Sequence, residues 1–186
     1  MALSNPQRIV VEAEMASGVT GKYGLIYQLV PSADGAKLMA KAYATSPTDG
    51  NSLPIIGVIE CPSGKEPDSS GPKTAAVPGD AVSFVIAGTV RTLVHIETST
   101  MAQNAELYIH ANGHSTASGC LVNNIADSDC ATASGNLDSA AKLIGFVSFV
   151  RGQYLAAATV QHTVDGVTPQ YKVTPVRLFN NPPVPA

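Results

Sequence analysis

A chain of 186 residues is long enough for one ordinary domain with a real core and only marginally long enough for two small ones, so one domain is expected. Hydrophobic residues make up 45% of it and charged residues only 13%, so the polar surface must be built largely from Ser, Thr, Asn, Gln and Gly, as in an assembly component rather than a freely diffusing enzyme. Eleven Lys and Arg against 14 Asp and Glu give a net charge of −3, with no basic cluster able to follow a phosphate backbone, which argues against nucleic acid as a partner.

The opening stretch MALSNPQRIVVEAEM is interrupted by polar residues, and nowhere do about 18 apolar residues run together. The expectation is a soluble protein made in the cytosol that spans no membrane. Residues 1–20 read as an N-terminal arm, with Arg8 and Val10 as contact residues. The runs GKYGLIYQLV, AKLMAKAYA and LPIIGVIE follow, separated by PSADG and TSPTDGNS, both of which carry turn chemistry. Residues 61–80, CPSGKEPDSSGPKTAAVPGD, hold no hydrophobic periodicity and read as a surface loop, either functional or mobile.

AVSFVIAGTVRTLVHIE, residues 81–97, reads as a strand pair. From Val90 onward Val90, Thr92, Val94 and Ile96 fall on one face and Arg91, Leu93, His95 and Glu97 on the other, the period of a strand with one buried face. AELYIHA repeats the pattern, Leu107 and Ile109 against Glu106, Tyr108 and His110, and ends in the turn residues Asn112 and Gly113. Residues 111–136 form a second long loop. LDSAAKLI, residues 137–144, supports at most one or two helical turns. KLIGFVSFV and QYLAAATVQHTV suggest a hairpin across Arg151 and Gly152. The tail VTPQYKVTPVRLFNNPPVPA carries five prolines and reads as an extended arm over 172–186, with Tyr171, Val173, Val176, Arg177 and Phe179 as candidate contacts.

Two stretches echo each other: GLIYQLV, PIIGVIE and GDAVSFVIAG run in the same order as AELYIHA, KLIGFVSF and GQYLAAATVQ, with Gly57 and Gly145 aligned. Two similar β-units, 21–97 and 102–165, sharing one barrel within a domain of 21–171 would account for the echo. The fold class expected is all-β: a small β-barrel or sandwich-like domain with long surface loops and extended N- and C-terminal arms.

Residues able to carry chemistry do not assemble into a reaction centre in the sequence. Cys61, Cys120 and Cys130 are odd in number and lack the C-x-x-C spacing of a structural zinc site. Cys120 and Cys130 bracket a polar loop and are able to pair as a disulfide outside a cell; two free thiols are the alternative. His110 and His114 are split by a turn, and His95 and His162 have no carboxylate or cysteine at suggestive spacing. No G-x-S-x-G or G-x4-G-K-[ST] frame occurs. Asp127, Asp129 and Asp138 lack the central Gly and terminal Glu of a recognised calcium loop. No catalytic residue, cofactor or metal is therefore expected. Aromatic residues are 5% with no Trp, which disfavours a stacking platform, although Tyr23, Tyr27, Tyr108 and Tyr154 keep a carbohydrate-binding module open.

From about residue 55 to 165 the order PIIGVIE, PGDAVSFVIAGTVRTLV, NAELYIHANGH and AKLIGFVSFVRGQYLAAATV resembles the capsid decoration (cement) proteins of tailed bacteriophages. Gln103 and Asn104 stand where that family has Gly-Asp before the third strand, and the loop 111–136 is longer. The resemblance implies a small β-barrel, trimeric more often than not, that sits on the capsid exterior of the virion after synthesis in the host cytoplasm and bridges neighbouring major capsid proteins. Multivalency would supply the affinity, and terminal arms could add strands to a partner's sheet edge. The competing reading is a host-surface or carbohydrate-binding β-module on a virion, using the loops 61–80 and 111–136. A small enzyme on a barrel scaffold is a third, for which the sequence offers no acid, base or nucleophile grouping.

Overall fold

The computed structural model describes residues 8–42, 55–68, 71–95, 106–109, 121–122, 143–147, 160–161 and 170–178. Among them every regular element is a strand and none is a helix. The strands in the first half are β1 (Ile9–Met15), β2 (Gly21–Lys22), β3 (Ile26–Pro31), β4 (Leu38–Ala42), β5 (Ile55–Val58), β6 (Thr74–Ala76) and the long β7 (Ala81–His95). Those in the second half are β8 (Glu106–Ile109), β9 (Leu121–Val122), β10 (Leu143–Val147), β11 (Val160–Gln161) and β12 (Gln170–Leu178).

The ladders close on themselves. The order β1-β4-β3-β5-β7 becomes a ring because β1 also pairs with β7, antiparallel from Ile9 opposite Ala87 to Glu14 opposite Ala81. The order β7-β9-β8-β10-β12 closes in the same way because β12 pairs with β7, from Tyr171 opposite His95 to Leu178 opposite Gly88. β11 is an extra strand on β12. The protein is thus an all-β barrel structure, as the short punctuated runs predicted, and closure removes the unpaired edges that an open sheet would leave. Within the rings the echoed segments lie alike at their first two members. β5 runs antiparallel to β3 with Gly57 opposite Tyr27, and β10 antiparallel to β8 with Gly145 opposite Leu107.

The interior of the first ring is built from Met15, Tyr27, Leu29, Ala40, Phe84 and their neighbours. Tyr27 and Phe84 meet edge to face, centroids 5.8 Å apart at 69°. The buried Tyr27 hydroxyl accepts from Lys22 N at 2.7 Å and donates to Thr20 O at 3.2 Å, so its polar tip is satisfied. Gly57 has no room for a side chain: a Cβ there would lie 2.8 Å from Phe84 Cβ and 2.9 Å from Leu29 Cδ1. On the opposite face Ile26, Ile56, Val58 and Val85 are buried too. Strands β3 and β5 are therefore covered on both sides, which is why they read as near-continuous apolar runs; in β7 beyond Val90 both Leu93 and Val94 are buried, so the single buried face expected there is corrected.

Four further expectations are corrected. Residues 81–97 do not form a strand pair. Ala81–His95 is one continuous strand, bent at Gly88, whose φ of 91° belongs to the left-handed region that glycine enters without steric cost. Residues 9–15 are not an arm but β1, held by β7 and, in parallel, by β4 at Glu14–Met39 and Met15–Ala40. The tail is likewise not an arm over 172–178: β12 is a wall of the second ring, with Thr174, Val176 and Leu178 buried. Its proline was misleading because Pro175 sits opposite Arg91, whose own N–H and C=O point away from β12 toward Glu60 and Cys61. On the other edge, the β12 ladders to β11 and β10 run over Gln170–Tyr171 and Val176–Leu178 and leave Pro175 between them. A missing amide hydrogen is tolerated at such a position. Finally, 61–80 is more than a surface loop, since it contributes β6, paired with β2, and buries Cys61 and Ala76. Of the expected helical turns at 137–144, Leu143 and Ile144 belong to β10; the rest, and the hairpin across Arg151 and Gly152, lie outside the described residues.

Candidate functional site

The bend in β7 is where chemistry-bearing side chains gather. A side chain on Gly88 would meet Arg8 Cα at 2.8 Å, so the backbone just before β1 lies directly on the bend. The register slips between Ile9, opposite Ala87, and Val10, opposite Val85. A β-bulge of this kind lets two consecutive side chains avoid the interior, and Ile9 and Val10 are 49% and 48% exposed. Arg8, Ile9 and Val10 thus form a short outward strip with a cation at one end. Ile55 and Val77 are the other large apolar side chains exposed among the described residues.

Arg8 is ion-paired with Glu60, which follows β5. Glu60 Oε1 also lies 3.5 Å from the Arg91 amide nitrogen, just beyond the bend. The Arg91 guanidinium donates to Ser63 Oγ at 2.9 Å and Glu66 Oε1 at 2.8 Å, and Glu66 Oε2 accepts from Gly64 N at 2.7 Å. Arg91 holds the Glu66 carboxyl below its ordinary value, with backbone amides adding to the effect. Beneath this loop is Cys61, fully buried, whose thiol lies 3.4 Å from Lys65 O and 3.7 Å from Pro62 O. Burial pushes that thiol above its ordinary value, and the Glu66 carboxylate adds to the rise. A protonated, enclosed thiol is a poor nucleophile.

The sequence-derived candidates separate into two sets. Arg8 and Val10 lie together on the exposed strip. Of the C-terminal set, Tyr171 pairs with His95 in β12, Val173 is half-buried against the first core, and Val176 is 0% exposed. Val176 cannot be a contact residue, because it faces the interior of its own barrel. Arg177 is half-buried, and its Nε has no hydrogen-bond partner among the described residues. Phe179, Cys120 and Cys130 lie outside the described residues, as do His110, His114 and the three aspartates considered for calcium. Sequence reasoning missed Glu60, Ser63, Glu66 and Arg91 as a group. Arg91 is 25 residues from Glu66 along the chain, and no local pattern joins them.

Among the described residues no group of three or more His, Cys, Asp or Glu side chains is arranged to hold a metal ion, and no helix is long and apolar enough to cross a membrane. The site brings together an apolar strip, the Arg8 cation paired with Glu60, and a loop pinned by charge-assisted hydrogen bonds. The class defined by fold and site is a β-barrel protein that exposes a short apolar strip on one strand. No protein-family model matches the chain, and no curated protein matches it.

Proposed function

We propose that this chain is a structural virion protein that binds the outer surface of an assembled tailed-phage capsid and stabilises it by bridging neighbouring major capsid proteins. It acts as a homo-oligomer, a trimer by preference, and not as an enzyme. The motif order from about residue 55 to 165 and its resemblance to decoration proteins motivate the reading. The observation that carries it furthest is the strip Arg8-Ile9-Val10, displayed on a strand whose backbone is already paired with β7. A contact surface mounted on a closed barrel loses little conformational entropy when it docks, so a small patch repeated on each subunit gains from avidity.

The test is whether the protein co-purifies with intact virions and is accessible on their exterior to protease or antibody. Its presence there, with reduced heat resistance of particles that lack it, is the expected result. Absence from virions, or binding to glycans or host cells in place of shells, would overturn the reading.

A further inference from the structure

We propose that residues 60–66 and Arg8 form a charge-fastened latch over the bend of β7 at Gly88, and that the segment 61–66 opens locally, without unfolding of the barrels, when the latch is released. This inference concerns the chain alone and holds whether or not it binds a capsid.

The bend joins the two strand rings, since β7 pairs with β1 as far as Ala87 and with β12 from Gly88 onward. Several described hydrogen bonds tie an element of the first ring to the second half of β7, and Val173 of β12 packs against the first core as well. Gly24 O accepts from Leu93 N at 3.0 Å and from the buried Thr92 hydroxyl. Cys61 N donates to Arg91 O at 3.0 Å. These bonds are enclosed. Arg8–Glu60 and Arg91–Glu66 are not: their side chains are about a third to a half exposed, so salt and water reach them. The enclosed bonds therefore set the geometry, and the exposed pairs set how often the covering loop lifts. That loop is short on other anchors. Ser63, Gly64 and Lys65 are exposed, Gly64 has a φ of 83°, and what ties them down is the Lys65 N to Pro62 O turn together with the bonds to Glu66 and Arg91. A segment held by a few solvent-accessible bonds opens at lower free energy than the sheet beneath it.

Cys61 serves as the reporter of this opening, because its thiol is buried and lies 3.4 Å from Lys65 O. The experiment is the rate of Cys61 alkylation by iodoacetamide in the full chain, read at that peptide by mass spectrometry and divided by the thiolate fraction taken from its pH dependence, because Glu66 also acts on the thiol directly. Wild type is compared with Glu66→Gln and with Lys37→Ala, which breaks an exposed ion pair to Glu14 on β1, away from the bend. Glu66→Gln is expected to raise the rate roughly two- to fivefold, the range for losing one exposed ion pair. Lys37→Ala should leave it unchanged. Wild type in about 1 M salt should show a rise of the same order, because screening weakens both pairs; this arm stands even if the Gln variant folds poorly. An unchanged rate in Glu66→Gln and in salt, an equal rise in Lys37→Ala, or alkylation no faster than exchange of the β3 amides would each overturn the latch.

Discussion

Replacing Gly88 by alanine tests the bend most directly. Two costs add there. The φ of 91° is unfavourable for any residue with a Cβ, by about 1–2 kcal/mol. The new Cβ also meets Arg8 backbone atoms, Cα at 2.8 Å and N at 3.2 Å. Arg8 cannot step aside without lifting Ile9 from its place opposite Ala87, so this contact behaves as overpacking of a fixed site, about 1–3 kcal/mol. Together they amount to about 2–5 kcal/mol, a large part of the stability of a domain this size. Gly35→Ala is the internal reference: its φ of 68° is of the same kind, but a Cβ there has nothing within 4 Å, so only the conformational term of about 1–2 kcal/mol remains. Urea unfolding followed by far-ultraviolet circular dichroism measures both. If Gly88→Ala costs no more than Gly35→Ala, the backbone before β1 does not lie on the bend and the account of the junction fails.

Two further expectations concern surface and charge. Val10→Asp should leave the unfolding midpoint within about 0.5 kcal/mol of wild type and lower occupancy on shells, whereas Val176→Asp, at a fully buried position, should prevent stable folding; loss of folding in the first or tolerance in the second contradicts the assigned orientations. The carboxyls of Glu66 and Asp34 are both held below their ordinary values of 4.5 and 3.8, Glu66 by Arg91 first and Asp34 by the Ser32 hydroxyl first. A depressed carboxyl contributes stability above its unfolded-state pKa and loses it as pH falls through the lower folded value. The acid loss of stability below about pH 4.5 should therefore be shallower in Glu66→Gln than in wild type; parallel curves in urea titrations at several pH values would refute this.

The all-β class was legible because Val, Ile, Thr and Tyr runs separated by Gly, Pro and Asp are a local property of the chain. Closure was not. That β1 bonds β7 some seventy positions away depends on ring geometry, and the polar-interrupted RIVVEAEM gives no sign of its partner. Residues 81–97 were legible as strand, yet a hairpin turn and a bend within one strand both call for a glycine with positive φ, so composition cannot tell them apart. Pro175 misled for a related reason: a proline excludes a hydrogen bond on one edge only, and which edge matters is known only once Arg91 is seen turned the other way. The latch shows the same limit, since Glu60, Glu66 and Arg91 become neighbours only through the β5–β7 ladder.

Sharing β7 has a consequence for cooperativity. Each ring has five strands, and β7 is a wall of both, so unfolding either ring strips one wall from the other and exposes its core. The cost of leaving a half-open barrel is borne by both, which favours one transition over two. Thr174→Val is a sensitive probe, because Thr174 is fully buried in the second ring and its hydroxyl has no hydrogen-bond partner among the described residues. Removing an unsatisfied buried hydroxyl at nearly constant volume should stabilise by about 1 kcal/mol or more. If the rings unfold together, the gain appears equally in hydrogen exchange of the slowest amides of β3 and β5, in the first ring. If it appears only in β8, β10 and β12, the rings unfold separately and β7 does not couple them.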